Sequence, residues 1–486
     1  MPQVPEPRIQ TNKVEEEVGK MSFIVYDLIF LALFTLFAII FLYRRKQGLK
    51  RQGWLFLYHT KLGLRFMDVT AQKFRKILWP LQYVIIALGY VLLAAISWLL
   101  VRSTYDYVTS PYLAEAIKIP PLLPLFPYFP QVFKIESLFP PFYFTYFLVA
   151  VGLVAVGHEF AHGIFARLNN VRIKSTGFAF LGPFFGAFVE QDDKDMNKKS
   201  KRAQLAILGA GVFANVIMAV IFGLILWGFF ALSFAPAGVE FNTYGTSILN
   251  VSEIETINGV PISILSVEKL DGNITNITYQ NKLYFVNGLS LKNTIENNLS
   301  LISAYDDSPA LRTGLAGPIL AINGQPVGNI EELRVELRSY SPGEEIVVTT
   351  LNDKVRKDTS ITLGERDGKA YLGIGINMPP QGGLGGWMRN ALWKIKDPFV
   401  HYEPVWGGDF AWFIYYLIWW IALINLLVAL VNMLPLGILD GGRFFYLTVW
   451  GITGKEIIGK RAFSIATWFF LGLLGLMMVR WVFTLF

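Results

Sequence analysis

Residues 142–166 read FYFTYFLVAVGLVAVGHEFAHGIFA, an apolar run that carries two histidines and a glutamate near its end. His158 and His162 are four residues apart, so on a helix both imidazoles lie on one face, about one turn from each other. That spacing lets two ring nitrogens bind one Zn²⁺, and Glu159 is suited to taking a proton from zinc-bound water. Ionisable groups are costly inside a bilayer, so three of them on one apolar helix predict a metal site rather than satisfied core residues.

The composition places much of the chain in lipid. Of its 486 residues, 53% are hydrophobic and 16% are charged, whereas a soluble chain carries about a quarter charged residues. The chain contains no cysteine, which excludes thiolate zinc sites, thiol proteases and a disulfide framework. The net charge of +7 does not predict a nucleic-acid partner, because the basic residues cluster in short stretches that flank apolar runs.

Six apolar runs are long enough to cross a bilayer. They are residues 23–43, 78–101, 142–166, 203–231, 410–434 and 463–482. Clusters of Lys and Arg follow the first, third and fifth runs, which predicts that these loops are cytoplasmic and that both termini lie outside. The histidine pair then lies toward the cytoplasmic half of the membrane. We expect the first run to be a retained anchor, because no small-residue cleavage site precedes it.

The sequence predicts four parts. They are residues 1–141, with two accessory spans and a proline-rich exterior loop; 142–234, with the histidine pair; 235–385, an exterior domain; and 386–486, a C-terminal membrane core. The third part is polar, contains short β-branched runs and carries all four N-x-[ST] sequons, which indicates a β-rich domain outside the membrane. Within it, Ile257-Asn258-Gly259 is echoed by Ile322-Asn323-Gly324, which predicts two similar hairpins or a duplicated module.

A catalytic zinc usually takes three protein ligands and leaves one position for water. His59 and His401 are poor candidates for the third ligand, because they lie in a basic loop and in an exterior stretch. Asp440 is a better candidate, because it follows an apolar span on the side of the histidine pair. Nearby proline and glycine residues would unwind a helix and aim its side chain inward. The alternative is an ordinary span end followed by a glycine-rich turn.

One apolar stretch is too long for a single straight span. It runs from Phe410 to Trp450 and contains Pro435. Either its first part lies at the outer surface, or the helix breaks near the proline and the chain runs on into the cytoplasm.

These residues together resemble the site-2 protease family of intramembrane metalloproteases. The family's H-E-x-x-H, N-x-x-P and L-D-G motifs match His158, Glu159, His162, Asn432, Pro435, Leu439, Asp440 and Gly441. The resemblance implies that Asp440 is the third zinc ligand and that Glu159 is the catalytic base. It further implies hydrolysis of peptide bonds in or near transmembrane segments of other proteins, such as membrane-anchored regulators or signal-peptide remnants. The absence of cysteine and of an organellar targeting peptide favours a prokaryotic cell membrane.

Two further segments resemble parts of this family. Residues 209–215, GAGVFAN, are similar to its small-residue stretch, which implies that Asn215 polarises the substrate carbonyl; the alternative is an interhelical hydrogen bond. Residues 177–190 resemble its re-entrant strand segment, which offers a backbone edge to an extended substrate; the alternative is an interfacial loop. The substrate-binding candidates that the resemblance implies are Phe185, Gly186, Ala187 and Phe188 in this segment and Asn432 in the N-x-x-P motif.

The exterior domain resembles a PDZ domain, most clearly over residues 300–378. The matching segments are Ser308-Pro309-Ala310, Gly314-Leu315, Ile322-Asn323-Gly324 and Tyr371-Leu372-Gly373-Ile374. Residues 235–300 do not match and are either a degenerate second copy or an insertion. The predicted fold is an α-helical polytopic membrane protein with about six transmembrane helices, a re-entrant strand segment and an inserted β-rich, PDZ-like exterior domain.

Two other functions fit parts of the sequence. A PDZ-bearing membrane scaffold with a non-catalytic metal site is one, but both the ligands and the base are present. A zinc transporter would need further His or acidic residues inside other spans, and Asp27 alone is found there. We therefore predict a zinc metalloendopeptidase with Zn²⁺ as its cofactor, transmembrane proteins as its substrates and membrane lipids around it.

Overall fold

The computed structural model describes residues 23–45, 49–53, 55–109, 125–133, 139–181, 184–261, 270–352, 355–378, 386, 390 and 393–483. Several predictions lie outside these residues. They concern the N-terminal stretch before the first span, the central part of the proline-rich loop and the carboxyl end of the 235–385 domain.

The helices and strands of the described residues alternate along the chain. The helices are α1 (Phe23–Arg44), α2 (Leu64–Lys73), α3 (Arg75–Thr109), α4 (Phe129–Val132), α5 (Phe144–Leu168), α6 (Asp193–Asn197), α7 (Lys201–Ser233), α8 (Gly288–Glu296), α9 (Pro309–Thr313), α10 (Ile330–Leu337), α11 (Asp409–Asn432), α12 (Asp440–Thr453) and α13 (Glu456–Phe483). The strands up to residue 257 are β1 (Leu49–Gln52), β2 (Leu55–Thr60), β3 (Ile173–Leu181), β4 (Phe184–Gln191), β5 (Phe234–Val239), β6 (Thr243–Tyr244), β7 (Thr246–Asn250) and β8 (Ile254–Ile257). The later strands are β9 (Val260–Pro261), β10 (Ile274–Tyr279), β11 (Lys282–Asn287), β12 (Leu301–Asp306), β13 (Ile319–Ile322), β14 (Gln325–Pro326), β15 (Glu345–Asn352), β16 (Val355–Thr362), β17 (Gly364–Arg366), β18 (Lys369–Tyr371), β19 (Ile374–Gly375) and β20 (Val400–Pro404).

Six of these helices, namely α1, α3, α5, α7, α11 and α13, are long and apolar enough to cross a membrane, as the six apolar runs predicted. Some extend beyond the predicted ends. Helix α3 continues past the apolar run to Thr109, and Arg102 and Asp106 form an i,i+4 ion pair with an N–O distance of 2.9 Å on its polar last turns. The polytopic helical class is therefore confirmed.

The chain divides into two compact units, one of which holds residues 17–228 and 413–486 and the other residues 229–412. The first unit contains most of the apolar helices. Its largest buried cluster packs α2, α3, α5, α7, α12 and α13 around residues such as Met67, Ile85, Ile207 and Phe444. A second cluster of aromatic residues, including Phe142, Phe144 and Trp420, fixes the start of α5 against α11.

The start of α5 is held by a carboxylate from α1. Asp27 is buried, with 2% of its surface exposed. It accepts hydrogen bonds from the backbone N–H of Phe144 at 2.6 Å, from the N–H and hydroxyl of Thr145 at 3.0 and 2.6 Å, and from the hydroxyl of Tyr128 at 2.6 Å. Burial, followed by the hydrogen bond to Asp27, raises the pKa of Tyr128 well above its ordinary value. Asp27 therefore serves as a helix cap, where a negative charge also suits the positive end of the helix dipole.

The predicted re-entrant segment forms two antiparallel strands, β3 and β4. Two strands from the loop after α1 extend them, which the sequence did not predict, and the sheet order is β1-β2-β3-β4. Gly177 permits this pairing, since a Cβ there would lie 2.2 Å from the carbonyl oxygen of Tyr58. His59 on β2 lies 2.9 Å from the hydroxyl of Ser175, which in turn donates to Glu190 at 2.7 Å. Strand β4 thus forms one edge of a four-stranded sheet.

The long apolar stretch breaks before its proline, as the helix break in the second of the two alternatives requires. Helix α11 ends at Asn432, and α12 begins at Asp440 after a tight turn. Two glycines are needed there, because a Cβ on Gly441 would lie 2.3 Å from the backbone of Met433 and one on Gly442 would lie 2.1 Å from the carbonyl oxygen of Leu436. The turn consequently places Asp440 at the first residue of a helix.

The second unit is rich in β-structure. One sheet has the order β7-β12-β11-β10-β8-β9, and another has the order β16-β15-β13-β5-β20 with β14 paired to β13. Each sheet has its own buried apolar cluster. The two echoed segments form equivalent hairpins, β8–β9 and β13–β14. Both turns have positive φ at Asn and Gly, with values of 52° and 78° in the first and 47° and 79° in the second, as a two-residue type I′ turn requires.

Candidate metal centre

The histidine pair lies on α5, as predicted, with both side chains buried. The two Nε2 atoms are 3.0 Å apart. Flanking glycines let neighbouring helices approach at this level. A Cβ on Gly157 would lie 2.5 Å from Met218 Cε, and one on Gly163 would lie 2.4 Å from Met67 Sδ. The local sequence therefore keeps two imidazoles at one point on a closely packed helix.

Asp440 completes a triangle of donor atoms with the two histidines. Its Oδ2 lies 3.1 Å from His158 Nε2 and 3.3 Å from His162 Nε2. The ligand atoms of a tetrahedral zinc with bonds of about 2.0–2.1 Å are separated by roughly 3.3–3.4 Å. The three predicted ligands thus lie at separations that suit three corners of a zinc tetrahedron.

A hydrogen bond at Nδ1, on the side of the ring opposite Nε2, fixes the orientation of His162. Its Nδ1 donates to the backbone carbonyl of Ile207 on α7, at 2.7 Å. With the proton on Nδ1, the lone pair of Nε2 points to the triangle, which is the tautomer that a metal ligand needs. No residue pattern could indicate Ile207, because the contact uses a backbone atom.

Asn215 contacts the other histidine. It is fully buried, and its side-chain amide lies 3.0 Å from His158 Nδ1. If His158 binds metal through Nε2, its Nδ1 carries the proton and needs an acceptor. The Oδ1 of Asn215 is buried without a partner among the described residues, and exchanging the two amide atoms places Oδ1 where it accepts from His158 Nδ1–H. This contact favours the interhelical hydrogen bond over the predicted role of polarising the substrate carbonyl.

The small-residue stretch before Asn215 makes room for the site. A Cβ on Gly211 would lie 2.5 Å from His162 Nε2 and 2.6 Å from His158 Nε2. Gly209 instead faces α3, where a Cβ would lie 2.9 Å from Ile85 Cγ2. Phe213 packs beside the main buried cluster.

Glu159 stands next to the triangle without belonging to it. Its side chain is half-buried, and Oε2 accepts a hydrogen bond of 2.9 Å from the backbone N–H of Val189 on β4. The predicted substrate-binding residues 185–188 lie on the same strand. Phe185 packs near Gly152, whose added Cβ would lie 3.4 Å from its Cζ.

The remaining candidates do not belong to the triangle of donor atoms. Asn432 is the last residue of α11, and its half-buried side chain makes no hydrogen bond with any residue that the structure describes. His59 contacts Ser175 on the four-stranded sheet. His401 lies in the β-rich unit, 3.2 Å from a carboxylate oxygen of Glu240.

Comparison with known proteins identifies the family. Peptidase family M50 matches residues 146–339 and 390–477, which include both histidines and Asp440. The chain belongs to peptidase family M50. This membership, the apolar helices and the metalloprotease relatives together confirm the prediction of a membrane-embedded zinc metalloprotease. They favour neither the membrane scaffold nor the zinc transporter.

The M50 chain also resembles individual curated proteins at low identity. One, from Clostridium perfringens, bears a name that describes a zinc metalloprotease; it is 24% identical over 368 residues, which are 69% of this chain and 96% of the relative. The zinc metalloprotease RasP of Shouchella clausii is 25% identical over 224 residues, 40% of this chain and 53% of its own length. An uncharacterized protein of Methanocaldococcus jannaschii is 43% identical over 68 residues, 14% of this chain and 18% of that protein.

Proposed function

We propose that this M50 peptidase holds one Zn²⁺ on His158, His162 and Asp440 and uses Glu159 as its general base. The convergence of the three donor atoms within 3.0–3.3 Å of one another carries the proposal. When bound, Zn²⁺ lowers the pKa of a water molecule and polarises the scissile carbonyl. The position of Glu159 beside the triangle, on the residue after a ligand, supports its role.

The chemistry of this chain's own residues is a proton transfer. Glu159 takes a proton from the attacking water as the water oxygen bonds to the carbonyl carbon. The carboxyl then gives that proton to the leaving amine as the C–N bond breaks, so that the base is regenerated. The buried histidines and Asp440 keep their geometry because Ile207, Asn215 and the turn before α12 hold them from outside the triangle.

The substrates are inferred to be transmembrane segments of other membrane proteins, such as membrane-anchored regulators or signal-peptide remnants. The site supports this because its histidines lie on a helix that is apolar enough to span a bilayer. An apolar, extended peptide is the substrate chemistry that such a position admits. We further infer that residues 185–188 on β4 and Asn432 bind the substrate, since an exposed strand edge supplies backbone hydrogen bonds.

We also infer a separate role for each part of the chain. Residues 142–234 and 386–486 form the peptidase core, since they hold the ligands, and residues 1–141 supply accessory helices. Residues 235–385 form an exterior, PDZ-like domain that gates large substrates, clearest over 300–378. The basic loops support an orientation in a prokaryotic cell membrane with this domain and both termini outside and the site toward the cytoplasmic half.

The proposal is tested with the full chain in proteoliposomes and a single-span membrane protein as substrate. Glu159→Gln is expected to keep its zinc and to lose activity by about 10²–10⁴-fold, the usual contribution of a general base. Glu456→Gln, at an exposed carboxylate paired with Lys460, is the matched control and should cleave like the wild type. Wild-type cleavage by Glu159→Gln would refute the role of the base, and a zinc-loaded wild type that cleaves no membrane protein would favour the scaffold.

A further inference from the structure

The outer edge of β4 presents backbone groups toward the metal helix. Strand β4 is the end strand of its sheet and pairs with β3 through Thr176↔Val189, Phe178↔Ala187 and Phe180↔Phe185. In an antiparallel strand, the N–H and C=O of one residue point to the same side, and the side alternates along the strand. Because the N–H of Val189 points away from β3 to Glu159, the amides of Phe185 and Ala187 also point outward.

These outward amides differ in one respect. The N–H of Val189 is taken by the carboxylate of Glu159, whereas those of Phe185 and Ala187 have no hydrogen-bond acceptor within the part of the chain that the structure describes. A Cβ on Gly186, between them, would meet no atom within 4 Å, so the face of the sheet is also open at this point of the strand. The edge is therefore free over two outward residues and closed at the third.

We propose that Val189, through its backbone N–H, is a positioning residue for the peptidase reaction. It holds the Glu159 carboxylate at the end of the free edge, so that pairing of an extended substrate with Phe185 and Ala187 delivers one fixed peptide bond to the base. This inference rests on the proposed role of Glu159 as the base. The amide of Val189 then orients the base, whereas the other outward amides of the edge pair with the substrate.

The lengths of helix α5 and strand β4 between their contacts support this placement of the substrate along β4. From Gly152, beside Phe185, to Glu159, beside Val189, α5 rises by about 10 Å. Over the same contacts β4 advances by about 13 Å, at roughly 3.3 Å per residue. The strand and the helix therefore run side by side in the same direction. The substrate residue opposite Val189 lies two residues beyond the one paired with Ala187, about 6.6 Å along the strand.

The hydrogen bond itself suits a positioning role. A backbone N–H that donates to a carboxylate forms a charge-assisted bond, which is stronger than a bond between neutral groups. The strand that carries this N–H is backed by three others. Val189 thereby gives the carboxylate of Glu159 a rigid support that its own flexible side chain lacks.

Proline substitutions on the full chain separate positioning from simple pairing. Val189→Pro removes the N–H that holds Glu159, and Ala187→Pro removes a neighbouring outward N–H; both positions face away from the ladder, where an edge strand tolerates proline. We expect Val189→Pro to lower kcat by about tenfold or more with KM within about twofold to threefold of the wild type. Ala187→Pro should raise KM several-fold with little change in kcat. Val189→Ala keeps the N–H but shortens a side chain that packs against the main buried cluster, so it reports the effect of lost packing alone.

Equal kinetic patterns in the two proline variants, with KM raised and kcat unchanged, would overturn the proposal, because Val189 would then be one more pairing position. Zinc content and elution volume check that each variant is folded. If Glu159→Gln cleaves normally, the proposed function fails as well. If Glu159→Gln is inactive but Val189→Pro resembles Ala187→Pro, only the inference about Val189 fails.

Amide hydrogen exchange gives a readout that depends neither on activity nor on a proline variant. In the wild type without substrate, we expect the amide of Val189 to exchange more slowly than the outward amide of Ala187. Glu159→Ala should remove this protection at Val189 and leave the inward amides of Gly186 and Phe188 unchanged. Identical exchange of Val189 in the wild type and in Glu159→Ala would refute the proposal even if Val189→Pro failed to fold.

Discussion

Gly211 on α7 touches the metal-binding face of His162 on α5: a Cβ at this glycine would lie 2.5 Å from His162 Nε2. That nitrogen is one corner of the triangle formed with His158 and Asp440. Two helices can meet at this level because position 211 has no side chain. The absence of a side chain at Gly211 is therefore required by the geometry of the triangle as well as by helix packing.

The first prediction concerns this glycine. Gly211→Ala should push the imidazoles out of the triangle and lower zinc affinity by about tenfold or more, in line with the 1–3 kcal/mol typical of overpacking. Competition with a chelator followed by metal analysis measures the change. The control is Gly223→Ala on the same helix, where a Cβ would meet no atom within 4 Å. Equal zinc affinity in the two variants would show that position 211 does not shape the site.

The second prediction concerns the hydrogen bond behind His158. Asn215→Ala removes the group that holds Nδ1, and loss of such a partner typically costs 10–100-fold in metal affinity. Asn215→Asp, whose oxygens can accept from Nδ1–H, should keep most of that affinity. Zinc titration of both variants tests the role. If Asn215→Ala binds zinc normally but loses kcat, Asn215 acts on the substrate carbonyl instead, as the family resemblance implied.

The third prediction uses all four histidines of the chain. Replacing His158 or His162 with alanine should abolish stoichiometric zinc binding, because a zinc site needs each of its ligands. Replacing His59 or His401, which contact Ser175 and Glu240, should leave the zinc content at that of the wild type. Metal analysis of the four purified variants is sufficient. Loss of zinc from the variant at position 59 would show that the proposed ligand set is wrong.

The fourth prediction concerns the cap on the metal helix. Asp27→Asn replaces an acceptor of hydrogen bonds from Tyr128, Phe144 and Thr145 with a group that presents N–H atoms to some of those donors. We expect a loss of about 1–3 kcal/mol, the cost of leaving a buried polar group unsatisfied. Thermal unfolding in detergent measures it. Asp106→Asn, which breaks an exposed pair with Arg102, should change stability by less than about 0.5 kcal/mol, and an equal effect of both would argue against the cap.

The sequence predicts the parts of the site that depend on local spacing. Six apolar runs become six apolar helices, and the i,i+4 spacing of His158 and His162 places both rings on one face. Asp440 could be proposed because proline and glycine residues around it indicate a break in an apolar stretch. These signals all lie within a few residues of the feature that they predict.

The features that were missed depend on contacts between distant segments. The pairing of β2 with β3 joins residues about 116 positions apart, and no local pattern in the basic loop indicated it. The hydrogen bond from Val189 to Glu159 and that from His162 to Ile207 use backbone atoms, which every residue type supplies. Asn215 was found by resemblance, but its partner could be assigned only once α5 and α7 lay side by side.

The separation of the ligands along the chain also has a consequence for biosynthesis. His158 and Asp440 are 282 positions apart, and the β-rich unit is made between them. While the ribosome is still extending the chain, the nascent protein has two histidines but lacks the carboxylate that completes the triangle. With the ligand set proposed above, the metal centre cannot be completed until Asp440 has been synthesised and has left the ribosome.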